Sequence, residues 1–346
     1  MRIFLASYQS LSLHRGGPTY KLEHTRKALQ DLGYEIINFD MWERNYKFQK
    51  DDIVHIFNAS VSTYALAVNL KSAGVKYVVN PIFFSNHPAK KLRFYRKLDA
   101  LWQKVFIRSY SDYSLTKAVC DAAEFILPNT IAEGDLLIEG LDVDKSKTTV
   151  IHNGVEQRFA KATPELFVEK YGIKDFVLYV GHLGPYRKNG LNIIKALSQV
   201  DAPVVLVADV FSDAAGAECR TEIAKAANIT HIEWIDHDDP LLESAYAACK
   251  VFALPTRYET PGRAALEAGL AQANIVITPH GGTREYFGEY AEYIDPDSIE
   301  SIRTAVESAL KKPKTSMLKN HIMQNYIWPV IAKETVKIYQ KVIDSE

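Results

Sequence analysis

Val251-Phe252-Ala253-Leu254-Pro255-Thr256-Arg257-Tyr258-Glu259-Thr260-Pro261-Gly262-Arg263-Ala264-Ala265-Leu266-Glu267-Ala268-Gly269 is the stretch on which the fold of this chain turns. Residues 251–254 are a short, unbroken apolar run that ends at a proline. Such a run fits a strand buried on both faces of a parallel sheet. A polar loop comes next, and then a run of good helix formers. Pro261 and Gly262 suit the first helical turn. The free backbone N–H groups of that turn favour anionic ligands. Glu259 falls in the loop and Glu267 more than a turn inside the helix, so the two carboxylates can enter one cavity from different heights. Carboxylates accept hydrogen bonds well from sugar and ribose hydroxyls. Spacing alone fits a surface Glu and a helix-face Glu equally.

The same strand-loop-helix phrase recurs in both directions. Upstream, residues 176–181, 204–208 and 231–235 read as strands. Helices are expected from 191, over 214–227 and over 241–249. Downstream, 275–278 reads as a strand and is followed by Gly281-Gly282. The amino-terminal half repeats the pattern, with strands at 2–7, 35–39, 52–57 and 77–80 and helices at 20–32 and 61–73. Residues 87–118 read as one long helical stretch, 124–127 as strand-like, and 149–155 as a strand running into an Asn-Gly turn. Alternation of this kind predicts parallel sheets covered by helices on both faces. It restarts after about residue 155. The expected class is therefore α/β, with two doubly wound Rossmann-like sheets in tandem and a ligand cleft at the carboxyl ends of their strands.

A chain of 346 residues accommodates two domains. Its 41 Lys and Arg balance 42 Asp and Glu, so no global charge bias points to nucleic acid. Cys120, Cys219 and Cys249 are odd in number and lack a CxxC spacing, which argues against a disulfide framework or a structural zinc site. The apolar run near Met1 is far shorter than a signal-peptide core, and no window of about 20 apolar residues could span a bilayer. A cytoplasmic protein is expected.

A second loop, Gly181-His182-Leu183-Gly184-Pro185-Tyr186-Arg187-Lys188-Asn189, places two adjacent cations after a buried strand. Arg binds phosphate as a fork and Lys as a point charge, so the pair suits a diphosphate. Glycines Gly16 and Gly17 come after the first strand and allow close backbone approach to a ligand. Asp142/Asp144, Asp236/Asp238 and Asp295/Asp297 have Asp-x-Asp spacing, but none sits in a Gly-rich loop after a buried strand. They read as solvated loop residues, and no metal site is expected.

Taken in order, these segments resemble the retaining glycosyltransferase family 4 (glycosyl transferases group 1), whose members have the GT-B fold. Leu254-Pro255-Thr256, Glu259, Gly262 and Glu267-Ala268-Gly269 resemble its Glu-x7-Glu signature. Ile275-Val276-Ile277-Thr278, Gly281-Gly282 and Glu285 match the family's strand and Gly-Gly turn downstream of that signature, and Lys188 and Arg187 match its cationic loop. The resemblance implies that Glu267 binds the ribose and Glu259 the transferred sugar of a UDP- or GDP-sugar. It also implies that Arg187 and Lys188 neutralise the diphosphate. Gly181 and the backbone from Thr260 through Pro261 and Gly262 to Arg263 should line the donor, and Gly16 and Gly17 should approach it from the other domain. The acceptor is then a glycan or a lipid-linked glycan.

Three departures from the family pattern stand out. Thr260-Pro261-Gly262-Arg263 replaces the family's common Gly-Phe-Gly-Leu, and His182 replaces its common Arg. The family's sugar-side His is replaced by the Asn80-Pro81 region, leaving His14, Arg15, Asn80 and His87 as candidate acceptor contacts. The resemblance further implies domains at 1–155 and 156–326, with a terminal helix over 327–346 crossing back onto the first. Two rival readings remain: a nucleotide-sugar 2-epimerase or hydrolase, and a non-catalytic binding subunit. Residues 87–110 carry Lys90, Lys91, Arg93, Arg96, Lys97, Lys104 and Arg108 interleaved with aromatic and aliphatic residues. Such a helix can rest peripherally on an anionic membrane or pack its apolar face on the sheet.

Overall fold

A computed structural model describes residues 1–13, 16–85, 87–105 and 110–345. The chain divides into two compact units: Met1–Gly154 with Trp328–Glu346, and Val155–Ile327.

The first unit holds β1 (Arg2–Ser7), β2 (Glu35–Asn38), β3 (Ile53–Phe57), β4 (Tyr77–Asn80) and β5 (Phe125–Ile126). All pair in parallel in the order β2-β1-β3-β4-β5. The central strands β3 and β4 are buried throughout, as a sheet covered on both faces requires. Helix Trp328–Asp344 belongs to this unit. Its Trp328, Ile331, Ile338, Tyr339 and Val342 pack against Ile3, Leu5, Leu29, Ile53 and Phe57. Gly154 makes room for it, because a Cβ there would lie 2.5 Å from the Trp328 indole.

The second unit holds β6 (Val177–Leu183), β7 (Val204–Val210), β8 (Ile229–Ile232), β9 (Val251–Leu254), β10 (Asn274–Ile277) and β11 (Ala291–Tyr293). They pair in parallel in the order β11-β10-β9-β6-β7-β8.

Four local expectations change. Residues 149–155 form no strand. Only isolated bridges, Ile126 to Thr148 and Val155 to Ile327, flank them. The two-residue β5 is too short to extend a ladder. The stretch 87–118 is two helices, Ala89–Val105 and Asp112–Ala122. Strand β8 ends at Ile232, which leaves Trp234 in the following loop, 48% exposed. Helix Arg263–Leu270 begins one residue late. Gly262 is its N-cap at φ +82°, a conformation that glycine adopts freely, and Pro261 precedes it in a cis peptide.

Candidate active site

In the second unit the strand order reverses between β6 and β9. Connections from the two strands leave on opposite faces there, and ligands of open α/β sheets bind beyond the carboxyl ends. The loops after β6 and β9 meet at this position. Arg257 N–H donates to the Arg187 carbonyl (2.9 Å), and its Nη1 donates to the Tyr186 carbonyl (2.7 Å). The Arg257 guanidinium lies 4.0 Å from the Tyr186 ring centroid. Buried Asn189 donates to the carbonyls of Pro255 (3.0 Å) and Pro296 (2.6 Å).

These ties bring the sequence-predicted residues together. Lys188 Nζ donates to Glu259 Oε1 at 2.8 Å, and Arg187 Nη1 lies 3.3 Å from the same oxygen. Arg187 also donates to the Tyr258 carbonyl at 2.9 Å. Glu259 is buried, the Lys188 side chain is 18% exposed and that of Arg187 is half-exposed. An ammonium has three donors and a guanidinium five, so both cations keep N–H groups for an anion. Glu259 is fixed through its backbone as well. Its N–H donates to the His280 carbonyl (3.2 Å), and its carbonyl accepts from Gly282 (3.1 Å). Gly281 has φ +96°, and a Cβ there would stand 2.1 Å from the Glu259 carbonyl oxygen.

Glu267 points inward from helix Arg263–Leu270 and is 1% exposed. Its Oε1 meets His237 Nε2 at 2.9 Å and Arg263 Nε at 3.3 Å, while Oε2 accepts from the Tyr246 hydroxyl at 2.9 Å. Burial would raise the Glu267 carboxyl. The His237 bond, the Arg263 charge and the Tyr246 bond outweigh it and hold the group below the usual carboxylate range. Burial would likewise lower His237, but the bond and charge of Glu267 outweigh it and raise the imidazole. Burial and the Glu267 charge push the Tyr246 phenol well above its ordinary value. Arg158 closes the layer. It donates to the His237 carbonyl at 2.6 Å, bonds Glu243, and lies 3.3 Å from Glu156.

The remaining expected residues lie elsewhere. Gly181 is inside β6, paired with Ala208. His182 stacks on Trp234 with ring centroids 5.5 Å apart and planes at 7°. In the first unit, Gly16 and Gly17 open helix Gly17–Asp31. Asn80 is 1% exposed, with its amide donating to the Leu127 carbonyl and to Asn129 Oδ1, and His87 packs on Tyr95. His14 and Arg15 fall outside the described residues. Each Asp-x-Asp pair is engaged locally: Asp142 with Arg96, Asp144 with Ser146, Asp238 with Arg158 and Asp297 with Arg257. Among the described residues no group of three His, Cys, Asp or Glu side chains is placed to hold a metal ion.

Sequence reading misses His237, Tyr246 and Arg158. The available signal is a histidine between Asp236 and Asp238 in the loop after a strand, which the Asp-x-Asp spacing masks.

Comparison with known proteins places these loops in a family context. Residues 166–326 match the family model described as glycosyl transferases group 1. An uncharacterized glycosyltransferase of Methanocaldococcus jannaschii is 23% identical over 215 residues, 57% of this chain and 54% of that protein. The chain thus matches about half the length of that relative. Among solved structures, sucrose-phosphate synthase from Thermosynechococcus elongatus superposes with TM-score 0.76 at 16% identity, covering 100% of both chains. Anabaena HepE in complex with UDP superposes with TM-score 0.67 at 16% identity, covering 99% of this chain and 100% of that one. The chain therefore has the GT-B fold, and its residues 166–326 are similar to the glycosyl transferases group 1 family.

Proposed function

We propose that this chain is a retaining, metal-independent glycosyltransferase that moves a sugar from a UDP- or GDP-sugar to a hydroxyl of a glycan or lipid-linked acceptor. The observation that carries the reading is the convergence of Lys188 and Arg187 on Glu259 at the strand-order reversal of the second unit. The UDP bound to Anabaena HepE, a protein of the same fold, makes a uridine nucleotide the first donor to try.

Lys188 and Arg187 receive the diphosphate with the N–H groups that Glu259 and Tyr258 leave unused. Glu259 orients the ammonium and takes a hydroxyl of the transferred sugar. The backbone amides around Gly262 face the phosphates at the start of an eight-residue helix. Glu267 stays ionised and accepts from the ribose through Oε2, which Tyr246 occupies on one side only. Charge developing on the leaving phosphate is met by the two fixed cations. The leaving oxygen takes the acceptor proton, and displacement proceeds on the face the leaving group vacates. Positioning and preorganised charge lower the barrier.

Incubating the full chain with UDP- and GDP-hexoses, with and without EDTA, tests this. One donor should slowly release free sugar and nucleoside diphosphate at the same rate in both arms. Lys188→Ala should slow that release by about 100- to 1,000-fold, as loss of one preorganised charge does. Full release by Lys188→Ala, or release that stops with EDTA, refutes the reading. An epimerised sugar among the products would favour the 2-epimerase.

A further inference from the structure

The amino-terminal unit carries a helix whose amphipathicity is inverted. Helix Ala89–Val105 holds itself to the unit through Leu92, fully buried in the core cluster, with Arg93 Nε bonded to the Glu139 carbonyl (2.8 Å) and Arg96 paired with Asp142 (3.2 Å). On the opposite side stand Phe94, Leu98, Leu101 and Trp102, at 57, 46, 61 and 56% exposure. Their spacing of four, three and one residues makes one continuous stripe at 3.6 residues per turn. Sequence alone leaves two readings open, and the exposed stripe bears against the one that packs this face on the sheet.

Charge decides what the stripe fits. Lys90, Lys97 and Lys104 repeat every seven residues and so line one flank, while Lys91 stands at the amino-terminal end of the stripe itself. The helix holds six cations against one acid, Asp99. A second copy of this face would bring like charges together. Nucleic acid would satisfy the lysines but leave the two leucines of the apolar stripe in water. An anionic lipid surface satisfies both, because acyl chains take the stripe and headgroups take the lysines. No helix among the described residues is long and apolar enough to cross a membrane, so the contact would be in-plane.

We propose that helix Ala89–Val105 docks flat on anionic lipid, with Phe94, Leu98, Leu101 and Trp102 in the acyl boundary and Lys90, Lys97 and Lys104 on the headgroups. This goes beyond the donor reading and does not depend on it. The placement brings the first unit to a membrane surface, where a lipid-linked acceptor would be presented.

The test uses the full chain and vesicles of phosphatidylcholine with or without one-third phosphatidylglycerol. Sedimentation should show binding to the anionic vesicles only. Lys90→Gln/Lys97→Gln/Lys104→Gln should weaken the partition by roughly 100-fold, since each cation near the surface contributes about a fivefold factor. Leu98→Ser/Leu101→Ser should abolish it at a salt concentration where the wild type stays bound. Lipids brominated in the acyl chain should quench the wild type more than Trp102→Phe, a readout that loss of folding in a variant cannot mimic. Three results overturn the proposal: no binding to anionic vesicles, equal quenching of both proteins, or a sedimentation coefficient showing that a second copy covers the helix. Oligonucleotide binding in place of vesicle binding is one form of the first result.

Discussion

Each unit has a lysine and a glutamate at the carboxyl edge of its parallel sheet, and the two settings are opposite. In the second unit Lys188 touches Glu259 directly, and the cation is open to one side. In the first, Lys21 and Glu133 are joined through the amide of Asn129. Lys21 Nζ bonds Asn129 Oδ1, and Asn129 Nδ2 donates to Glu133 Oε2 at 2.9 Å. Lys21 is 6% and Glu133 3% exposed. Burial lowers the Lys21 ammonium to about 7, against the Glu133 charge that would raise it, and burial raises the Glu133 carboxyl. Glu133 also accepts from the N–H groups of Phe83 (2.8 Å) and Asn129 (2.7 Å). The same two residue types thus close a fold in one unit and present charge in the other. The difference lies in which groups water and ligand can reach.

The largest effect should separate these pairs by stability. Glu133→Ala leaves a buried ammonium without its counter-charge and two backbone donors without their acceptor, at a cost of about 3–5 kcal/mol. Lys21→Met/Glu133→Gln should recover much of that, because apolar replacement of a whole buried pair is often neutral. Lys188→Ala should cost no more than about 1 kcal/mol, since Arg187 remains beside Glu259 and the site is partly solvated. Urea unfolding of the three variants decides it. Equal losses in Glu133→Ala and Lys188→Ala would remove the distinction between the two pairs.

The contrast also marks how far sequence can be read. The run at 251–254 is an unbroken apolar segment and that at 53–57 is apolar but for His55, and they form β9 and β3. Sequence starts β8 two residues late and ends it three residues late, because Trp234 and Ile235 prolong its apolar run past the last ladder pair at Ile232. The meeting of Lys188 with Glu259 is legible in part, because each sits in a loop after a buried strand of one sheet. Lys21, Glu133 and Asn129 are not. They are ordinary helix and turn residues until the sheet order β1-β3-β4-β5 folds 108 residues of separation onto one hydrogen bond. His237 and Glu267 are likewise 30 residues apart, and the face on which they meet is set by tertiary packing.

A smaller effect should sharpen the account of the open pair. Gly281→Ala puts a methyl group against the Glu259 carbonyl and holds alanine at φ +96°. Backbone strain of about 1–3 kcal/mol is expected, and relief must come by moving Glu259. Donor hydrolysis should therefore fall more than thermal stability does. Unchanged turnover in the Gly281→Ala variant would show that the position of Glu259 is not set by this contact.

The smallest effect is a pH dependence inside the layer around Glu267. The folded imidazole of His237 titrates above its unfolded value of 6.5, because the bond to Glu267 outweighs burial. The groups facing it are Glu267, Glu156 and Asp238 as carboxylates, and Arg158 and Arg263 as cations. A raised pKa means the folded state binds the proton more tightly. Its stabilisation is complete below pH 6.5 and is lost as pH rises through the folded value. Glu267 works in the other direction, because its depressed pKa contributes above 4.5 and is lost as pH falls through the folded value. The charged pair is therefore whole from just above the folded carboxyl pKa up to the folded imidazole pKa. His237→Gln keeps a donor for Glu267 but cannot take the charge. The variant should be less stable than the wild type by about 1–2 kcal/mol near pH 6, within the range of a charged hydrogen bond. The gap should narrow as pH rises through the folded imidazole pKa and the ring loses its proton. Thermal unfolding of both proteins across that interval reads it directly. A constant gap would mean that His237 holds Glu267 as a neutral donor, with the charge of the layer carried by Arg158 and Arg263 alone.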